Sequence, residues 1–264
     1  MSVPLLGITD FTRRFGGLVA VDGVTTDVED QEIRGLIGPN GAGKTTLLNL
    51  ISGLMPPSAG SIRLAGREIT GLRADRLAAL GIRRTFQNLK LFAELTVLQN
   101  ILVGLHAETR SGVFDAILGT ARHRREERAM DDRGREALAV VGLASHADLP
   151  ASSLAYGHRR LLEIARAIVA RPRLLLLDEP AQGLNPTEAM NLVTLIRRIN
   201  ASGVTVILVE HHMDVIMSTC SRITVLNHGQ KLAEGTPAEI RRNEQVVEAY
   251  LGRGGLEERL QANA

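Results

Sequence analysis

Cysteine is nearly absent: Cys220 is the only one in 264 residues, which excludes an internal disulfide framework and fits a reducing compartment. Long apolar runs are missing as well. The longest, such as Leu174-Leu175-Leu176-Leu177, are strand-sized and far short of the ~20 residues a membrane-spanning helix needs, so a soluble chain is expected. Met1-Ser2-Val3-Pro4 has neither a charged n-region nor an apolar h-region, so no signal peptide is expected. Charge of one sign is also lacking, since 31 Lys plus Arg stand against 29 Asp plus Glu, a net charge of +2 that is too small to imply a nucleic-acid partner. The densest charged run, Arg122 to Arg128, mixes both signs and reads as a solvated helix face. Neither internal repeats nor low-complexity linkers occur. Lysine is scarce, standing only at 44, 90 and 231, so arginine is the default cation. A lysine kept at 44 inside a glycine-rich loop therefore points to a site where a compact ammonium fits and a planar guanidinium does not.

That loop is Gly38-Pro39-Asn40-Gly41-Ala42-Gly43-Lys44-Thr45-Thr46, a complete G-x-x-x-x-G-K-[ST] phosphate-binding pattern. Its glycines permit a tight turn whose N–H groups face phosphate oxygens, Lys44 reaches the β- and γ-phosphates, and the Thr45 hydroxyl can ligate Mg²⁺. The context agrees. Residues 33–37 read as a short buried strand, and 45–51 as a helix whose N-terminal dipole favours the anion. A nucleoside triphosphate is the expected ligand.

Length permits one large domain or a core plus a smaller lobe. Between Leu5 and Glu32, short β-prone pieces separated by Gly16-Gly17, Asp22-Gly23 and Asp27 predict an antiparallel β subdomain. Pro56 to Gly60 breaks the chain before a strand over 61–65. From Val97 to His146 apolar residues recur at helical spacing around a charged middle, which predicts a helical lobe inserted into the core. The core resumes with a helix from about Arg159 to Ala170, a strand from Arg173 to Asp178, and a helix from Pro186 to about Asn200. A strand over Val204–Glu210 and a helix over Met213–Cys220 follow. Such alternation predicts an α/β fold: a P-loop NTPase core with a mostly parallel sheet, an N-terminal antiparallel β subdomain and an inserted helical subdomain.

The run Leu174 to Leu177 ends in Asp178-Glu179-Pro180. A carboxylate at the C-terminal end of a parallel strand sits where α/β sheets bind ligands, so Asp178 is placed to hold Mg²⁺ beside Thr45. Glu179 is then available as the general base that polarises the attacking water.

Taken together, these residues resemble the nucleotide-binding subunits of ATP-binding-cassette (ABC) transporters, from Leu5 to about Gly252. The resemblance implies ATP and Mg²⁺ as ligands and further roles for single residues. Gln87, in Arg84-Thr85-Phe86-Gln87-Asn88, is similar to the Q-loop glutamine that contacts Mg²⁺ and the attacking water beside the membrane subunit. His211 resembles the switch histidine at the γ-phosphate, and Phe15 the aromatic that stacks on adenine. His211-His212 is not expected to be a metal site, because neighbouring helical side chains diverge. The signature loop, commonly LSGGQ, is represented by Leu154-Ala155-Tyr156-Gly157-His158. In the family it faces the γ-phosphate bound by the other subunit, which implies a composite site and a two-fold dimer, homo- or heteromeric. Ala155 removes the serine hydroxyl, a hydrogen bond to an anion worth roughly 1.5–3 kcal/mol, and Asn185 stands where the D-loop usually has Asp.

Leu154 to Gly157 with Gly183-Leu184-Asn185-Pro186 resembles the branch that serves branched-chain amino acid importers. The Phe15-Gly16-Gly17 segment, the Q-loop, and Gly235 to Ile240 running on to Tyr250-Leu251-Gly252 point the same way. His158 in place of Gln is the one signature change that the resemblance to that branch does not account for. The resemblance implies an ATPase on the cytoplasmic face of the inner or plasma membrane, bound to permease subunits and served by an extracytoplasmic solute-binding protein, with no nucleic acid. Residues 1–252 are expected to form one ATP-binding domain, with the helical subdomain at about 97–158. The tail from Arg253 to Ala264 is either a short amphipathic helix or disordered. An ATPase of lipid or lipopolysaccharide export and a soluble non-transport ABC protein stay as alternatives.

Overall fold

The computed structural model describes residues 3–87, 90–105 and 121–250, with side chains from 124 onward in the last segment. Asn88, the Leu251-Gly252 ending and the tail from Arg253 lie outside the described residues.

Two sheets carry the chain. The smaller is antiparallel, ordered β2-β1-β4-β5, and is formed by β1 (Leu6–Phe15), β2 (Leu18–Val28), β4 (Ala59–Leu64) and β5 (Arg67–Glu68). The expected turn at Gly16-Gly17 is present, with Phe15 paired to Leu18 across it. Asp22-Gly23 and Asp27 do not break the chain, contrary to expectation. Both lie within β2, where the register slips between Val21 and Val24 and Gly23 takes φ 61°. A bulge there absorbs the one extra residue and bends the strand without ending it, and Asp27 pairs in register with Gly7.

The larger sheet is ordered β10-β9-β3-β8-β7-β6 and comprises β3 (Ile33–Ile37), β6 (Ile82–Arg84), β7 (Leu174–Asp178), β8 (Thr205–Val209), β9 (Arg222–Asn227) and β10 (Gln230–Gly235). All its pairings are parallel except β9 with β10. The C-terminal ends of β3, β6, β7 and β8 therefore share one edge, and four separate stretches of sequence empty onto it.

Alternate residues of each central strand point to opposite faces, as the two-residue period requires. Leu175, Leu177, Val206 and Leu208 join one buried cluster, while Leu174, Leu176, Ile207 and Val209 join the other. The second face is covered by α1 (Lys44–Ile51) and by the antiparallel sheet. The first packs against α3 (Val97–Val103), α4 (Ala121–Val140), α5 (Tyr156–Ile168), α6 (Pro186–Ala201) and α7 (Met213–Thr219). Two short helices, α2 (Ala74–Ala79) and α8 (Pro237–Arg242), lead into β6 and follow β10. Arg124, Arg125, Glu127 and Arg128 of α4 are exposed, so the described part of the charged run is a solvated face. Among the described residues no helix is long and apolar enough to cross a membrane.

A polar cluster interrupts this core. Arg34 of β3 is buried and binds Glu32 Oε1 at 2.6 Å and Glu234 Oε1 at 2.8 Å, and it donates to Thr26, Thr224 and the Asp27 carbonyl. It thereby ties both sheets together through β2, β3, β9 and β10.

Candidate functional site

The phosphate loop leaves β3 at Ile37 and enters α1 at Lys44. Its glycines are sterically required: a Cβ on Gly38 would lie 2.1 Å from the Leu226 carbonyl oxygen, and one on Gly43 2.4 Å from that of Ala20. Gly43 is the N-cap of α1, with φ 98° and no side-chain cap. The first N–H groups of α1, those of Lys44, Thr45 and Thr46, have no carbonyl partner within the helix. That end is thus an open donor set for an anion. Lys44 Nζ curls back over the loop and donates to Gly38 O at 2.7 Å and Pro39 O at 3.0 Å. Burial pulls the Lys44 pKa below its ordinary value, against the opposing pull of Glu179 and Asp178. Both strand-end carboxylates therefore act on the ammonium.

Glu179 follows β7 in the left-handed region, φ 48°, and its N–H is tied to Val209 O at 2.9 Å. Gln87, three residues beyond β6, donates Nε2–H to Glu179 Oε2 at 3.1 Å. His211, two residues beyond β8, brings Nδ1 to 3.8 Å from the same oxygen. Phe15, 43 % exposed, stands on the rim of a cleft of about 520 Å³ that also takes in Asn40 to Thr46, Gln87 and Glu179. The Arg13 guanidinium lies 4.7 Å from the Phe15 ring centroid. Gln87, Glu179, Lys44, Thr45 and Phe15 thus share one cleft, although 164 positions separate Phe15 from Glu179.

Asp178 is buried and has a partner that sequence reasoning missed: Arg84 Nη2 binds its Oδ2 at 2.9 Å. The other end of Arg84 donates to Asn49 Oδ1 and Ser52 Oγ, on and just after α1. Arg84 therefore fixes β6, β7 and the phosphate-loop helix relative to one another. Glu210 was also missed. It is buried, accepts from Ala181 N–H at 2.6 Å and stands 3.2 Å from His212 Nδ1. The expectation that His211 and His212 diverge is corrected, because both precede α7 and are not on a helix. Their ring centroids lie 4.2 Å apart, and with Glu210 their ligand atoms fall within 4.8 Å of one another.

The signature residues stand elsewhere. Ala155 is the N-cap of α5 without a side-chain cap, and Tyr156, Gly157 and His158 form its first turn, so the helix begins three residues before the expected Arg159. Glycine 157 did not delay it, because nothing but α-helical backbone is needed there. This turn packs on the segment after Glu179: a Cβ on Gly183 would meet Tyr156 Cε1 at 2.9 Å, and one on Gly157 would meet Glu188 Oε1 at 3.0 Å. His158 sits edge-on to His146, centroids 5.1 Å apart. Within one chain these four residues do not line the cleft of the phosphate loop. Asn185 has a local explanation: it caps α6, its Oδ1 accepting from Glu188 N–H at 2.9 Å while Glu188 Oε2 accepts from the Asn185 N–H at 2.9 Å.

The profile of a family described as ABC transporter matches residues 21–182. A second, described as branched-chain amino acid ATP-binding cassette transporter, matches residues 230–255. The chain is 46% identical over 253 residues to the high-affinity branched-chain amino acid transport ATP-binding protein LivG of Escherichia coli (strain K12), spanning 96% of this chain and 99% of that protein. The same identity and coverage relate it to BraF of Pseudomonas aeruginosa, which carries the same description. Among solved structures, a nucleotide-free ATP-binding cassette from an ABC transporter superposes with a TM-score of 0.82 at 28% identity, over 94% of this chain and 99% of that one.

Proposed function

Because the chain belongs to the ABC transporter family, whose profile spans residues 21–182, we propose that this ATPase powers an importer of branched-chain or related hydrophobic amino acids. The observation that carries the catalytic part is the meeting of Gln87 and His211 on one oxygen of Glu179, beside the Lys44 ammonium. The solute class rests on the relatives, both described as branched-chain amino acid transport proteins.

The donor set fits ATP with Mg²⁺. An uncapped helix N-terminus and an ammonium would meet the phosphates, Phe15 offers an aromatic face at the cleft rim for the base, and Thr45 and Gln87 in the cleft, with the buried Asp178 at the strand end, would supply hard oxygen ligands. When bound, Mg²⁺ neutralises charge on the phosphate oxygens. Glu179 takes a proton from the attacking water, Gln87 orients that carboxylate and the water, and His211 contacts the γ-phosphate. Lys44 holds the transferring phosphate as a point charge.

Ala155 to His158 do not line the cleft of their own chain, and this supports a site completed by the α5 N-terminus of a second ATP-binding subunit. Residues 1–252 then act as one ATP-binding domain, with the helical segment at about 97–158 as the lobe that meets the permease. The protein works at the cytoplasmic membrane face through permease subunits, and a solute-binding protein delivers the amino acid. ATP hydrolysis in liposomes carrying the permeases, with and without loaded binding protein, tests this function.

A further inference from the structure

Helix α5 carries three charged residues on one stripe, Arg160, Glu163 and Arg166, at i, i+3 and i+6. Arg160 is 0% and Glu163 1% exposed. A buried ion pair is costly and calls for a specific set of hydrogen bonds. Here those bonds go to the main chain of the Q-loop. Arg160 donates Nη1–H to Phe86 O at 3.0 Å and Nη2–H to Gln87 O at 3.1 Å, while Glu163 Oε1 accepts from Phe86 N–H at 3.1 Å. Arg160 and Glu163 are themselves joined at 3.2 Å. Arg166 extends the stripe by donating to Lys90 O at 2.6 Å. At its other end Arg160 Nη2 lies 3.3 Å from the Tyr156 hydroxyl, in the signature turn. Burial pushes the Glu163 carboxyl above the usual carboxylate range, against the Phe86 N–H and the Arg160 and Arg166 charges.

We infer that Arg160 and Glu163 are positioning residues: they hold the Q-loop main chain to the signature helix, so that Gln87 meets Glu179 only when α5 is in register with β6. Movement of either element is then passed to the other through this clasp. The inference rests on the reading of Gln87 as part of the hydrolytic centre. A carbonyl and an N–H of the same residue, Phe86, are both held from one helix, which fixes the peptide planes on either side of it. The Gln87 carbonyl is held as well, so its side chain leaves from a backbone that cannot swing independently of α5.

The test uses the full chain with Mg-ATP. Pairing Arg160→Met with Glu163→Leu removes both charges and strands neither. The expected result is a fall in kcat of about tenfold to hundredfold from misplacement of Gln87, with the KM for ATP unchanged because the phosphate loop is untouched. Added to Gln87→Ala, the pair should cause no further loss, since both act through the same amide. Exchange of the Phe86 amide should quicken while that of the β3 amides does not. Glu163→Gln, which keeps shape and an acceptor, should show a smaller loss with the same non-additivity, and it serves if the paired variant does not fold. Losses that multiply with Gln87→Ala, or a raised KM with unchanged kcat, would overturn the inference alone. Parental hydrolysis by Gln87→Ala would overturn the role of Gln87 and the inference with it.

Discussion

Gln87 and Glu179 are joined by a single hydrogen bond, Nε2 to Oε2 at 3.1 Å, across 92 residues of sequence. The bond orients the carboxylate, because the amide N–H donates to one of its two oxygens. The backbone under it is itself held against preference, at φ 48° for a non-glycine residue, a conformation that persists only where its surroundings over-determine it. Those surroundings are visible: Glu179 N–H is bound to Val209 O, and two residues on, Ala181 N–H is bound to the buried Glu210.

Glu179→Gln keeps the shape of this arrangement and removes the base. ATP binding should persist while hydrolysis falls by about 10²–10⁴-fold, and ATP should then trap a dimer. Nucleotide titration, phosphate release and sizing with ATP read all three. Hydrolysis at the parental rate would show that Glu179 is not the base.

Arg34 yields a stability prediction. Its guanidinium is buried between Glu32 and Glu234, so Arg34→Met strands two carboxylates and should cost about 3–5 kcal/mol of unfolding free energy, read in urea with the KM for ATP unchanged. The acid limb carries a sign. Burial opposes ionisation of Glu234, yet the Arg34 and Lys231 cations hold its pKa below the ordinary 4.5. A depressed carboxylate stabilises the fold above its unfolded pKa and loses that contribution as pH falls through the folded one. The parental protein should therefore lose stability below pH 4.5, and Arg34→Met should show a shallower acid limb. An unchanged limb would remove Arg34 as its cause.

Much of the architecture was legible because apolar period and length decide it. The strand over 33–37 is read residue for residue, and β7, β8, α6 and α7 lie within one or two positions of their expected limits. What was not legible depended on partners distant in sequence. The three-residue β6 is too short to announce a period, and β10, largely polar and only partly buried, does not show the apolar pattern that would have paired it with β9. Asp22-Gly23 looks like a turn locally, and only the pairing with β1 turns it into a bulge. At the candidate site, pattern reaches the phosphate loop and Glu179, and the family resemblance adds Gln87 and His211, which the structure places beside Glu179. Arg84, Glu210, Arg160 and Glu163 escaped because a charged residue in an apolar stretch reads as a surface position until its buried partner is seen. A buried pair at i and i+3 in a helix otherwise packed on the core was the available signal.

Ala155 separates two effects that a serine would combine. Since it is the N-cap of α5 with no side-chain cap, Ala155→Ser adds a helix cap worth about 0.5–2 kcal/mol as well as a hydroxyl for the phosphate of a partner subunit. A raised Tm should accompany a change in ATPase activity of at most about tenfold. Should the parental protein prove inert with its membrane partners while Ala155→Ser is active, the signature is degenerate and this chain is the silent half of an unequal pair.

The last prediction concerns the partner. The helical segment starts at Val97, beyond Gln87, and ends at the signature turn. Its helices α3, α4 and α5 pack on one another and on the same face of the parallel sheet. A permease segment docked beside the Q-loop would therefore press on a main chain that Arg160 and Glu163 join to the signature helix. Isolated chain should be largely monomeric and turn over slowly, because its own signature turn does not line the cleft of the phosphate loop. Reconstitution with the permeases, a second ATP-binding subunit and a binding protein loaded with Leu, Ile or Val should raise the rate several-fold, by shifting the population toward the closed dimer. The measurement is ATP hydrolysis in liposomes, with a panel of amides and aromatic acids as competing solutes. No stimulation by any amino acid, together with co-purification of a lipid-exporting membrane pair, would replace the importer by an exporter. Stimulation by an amide alone would keep the importer and change its cargo.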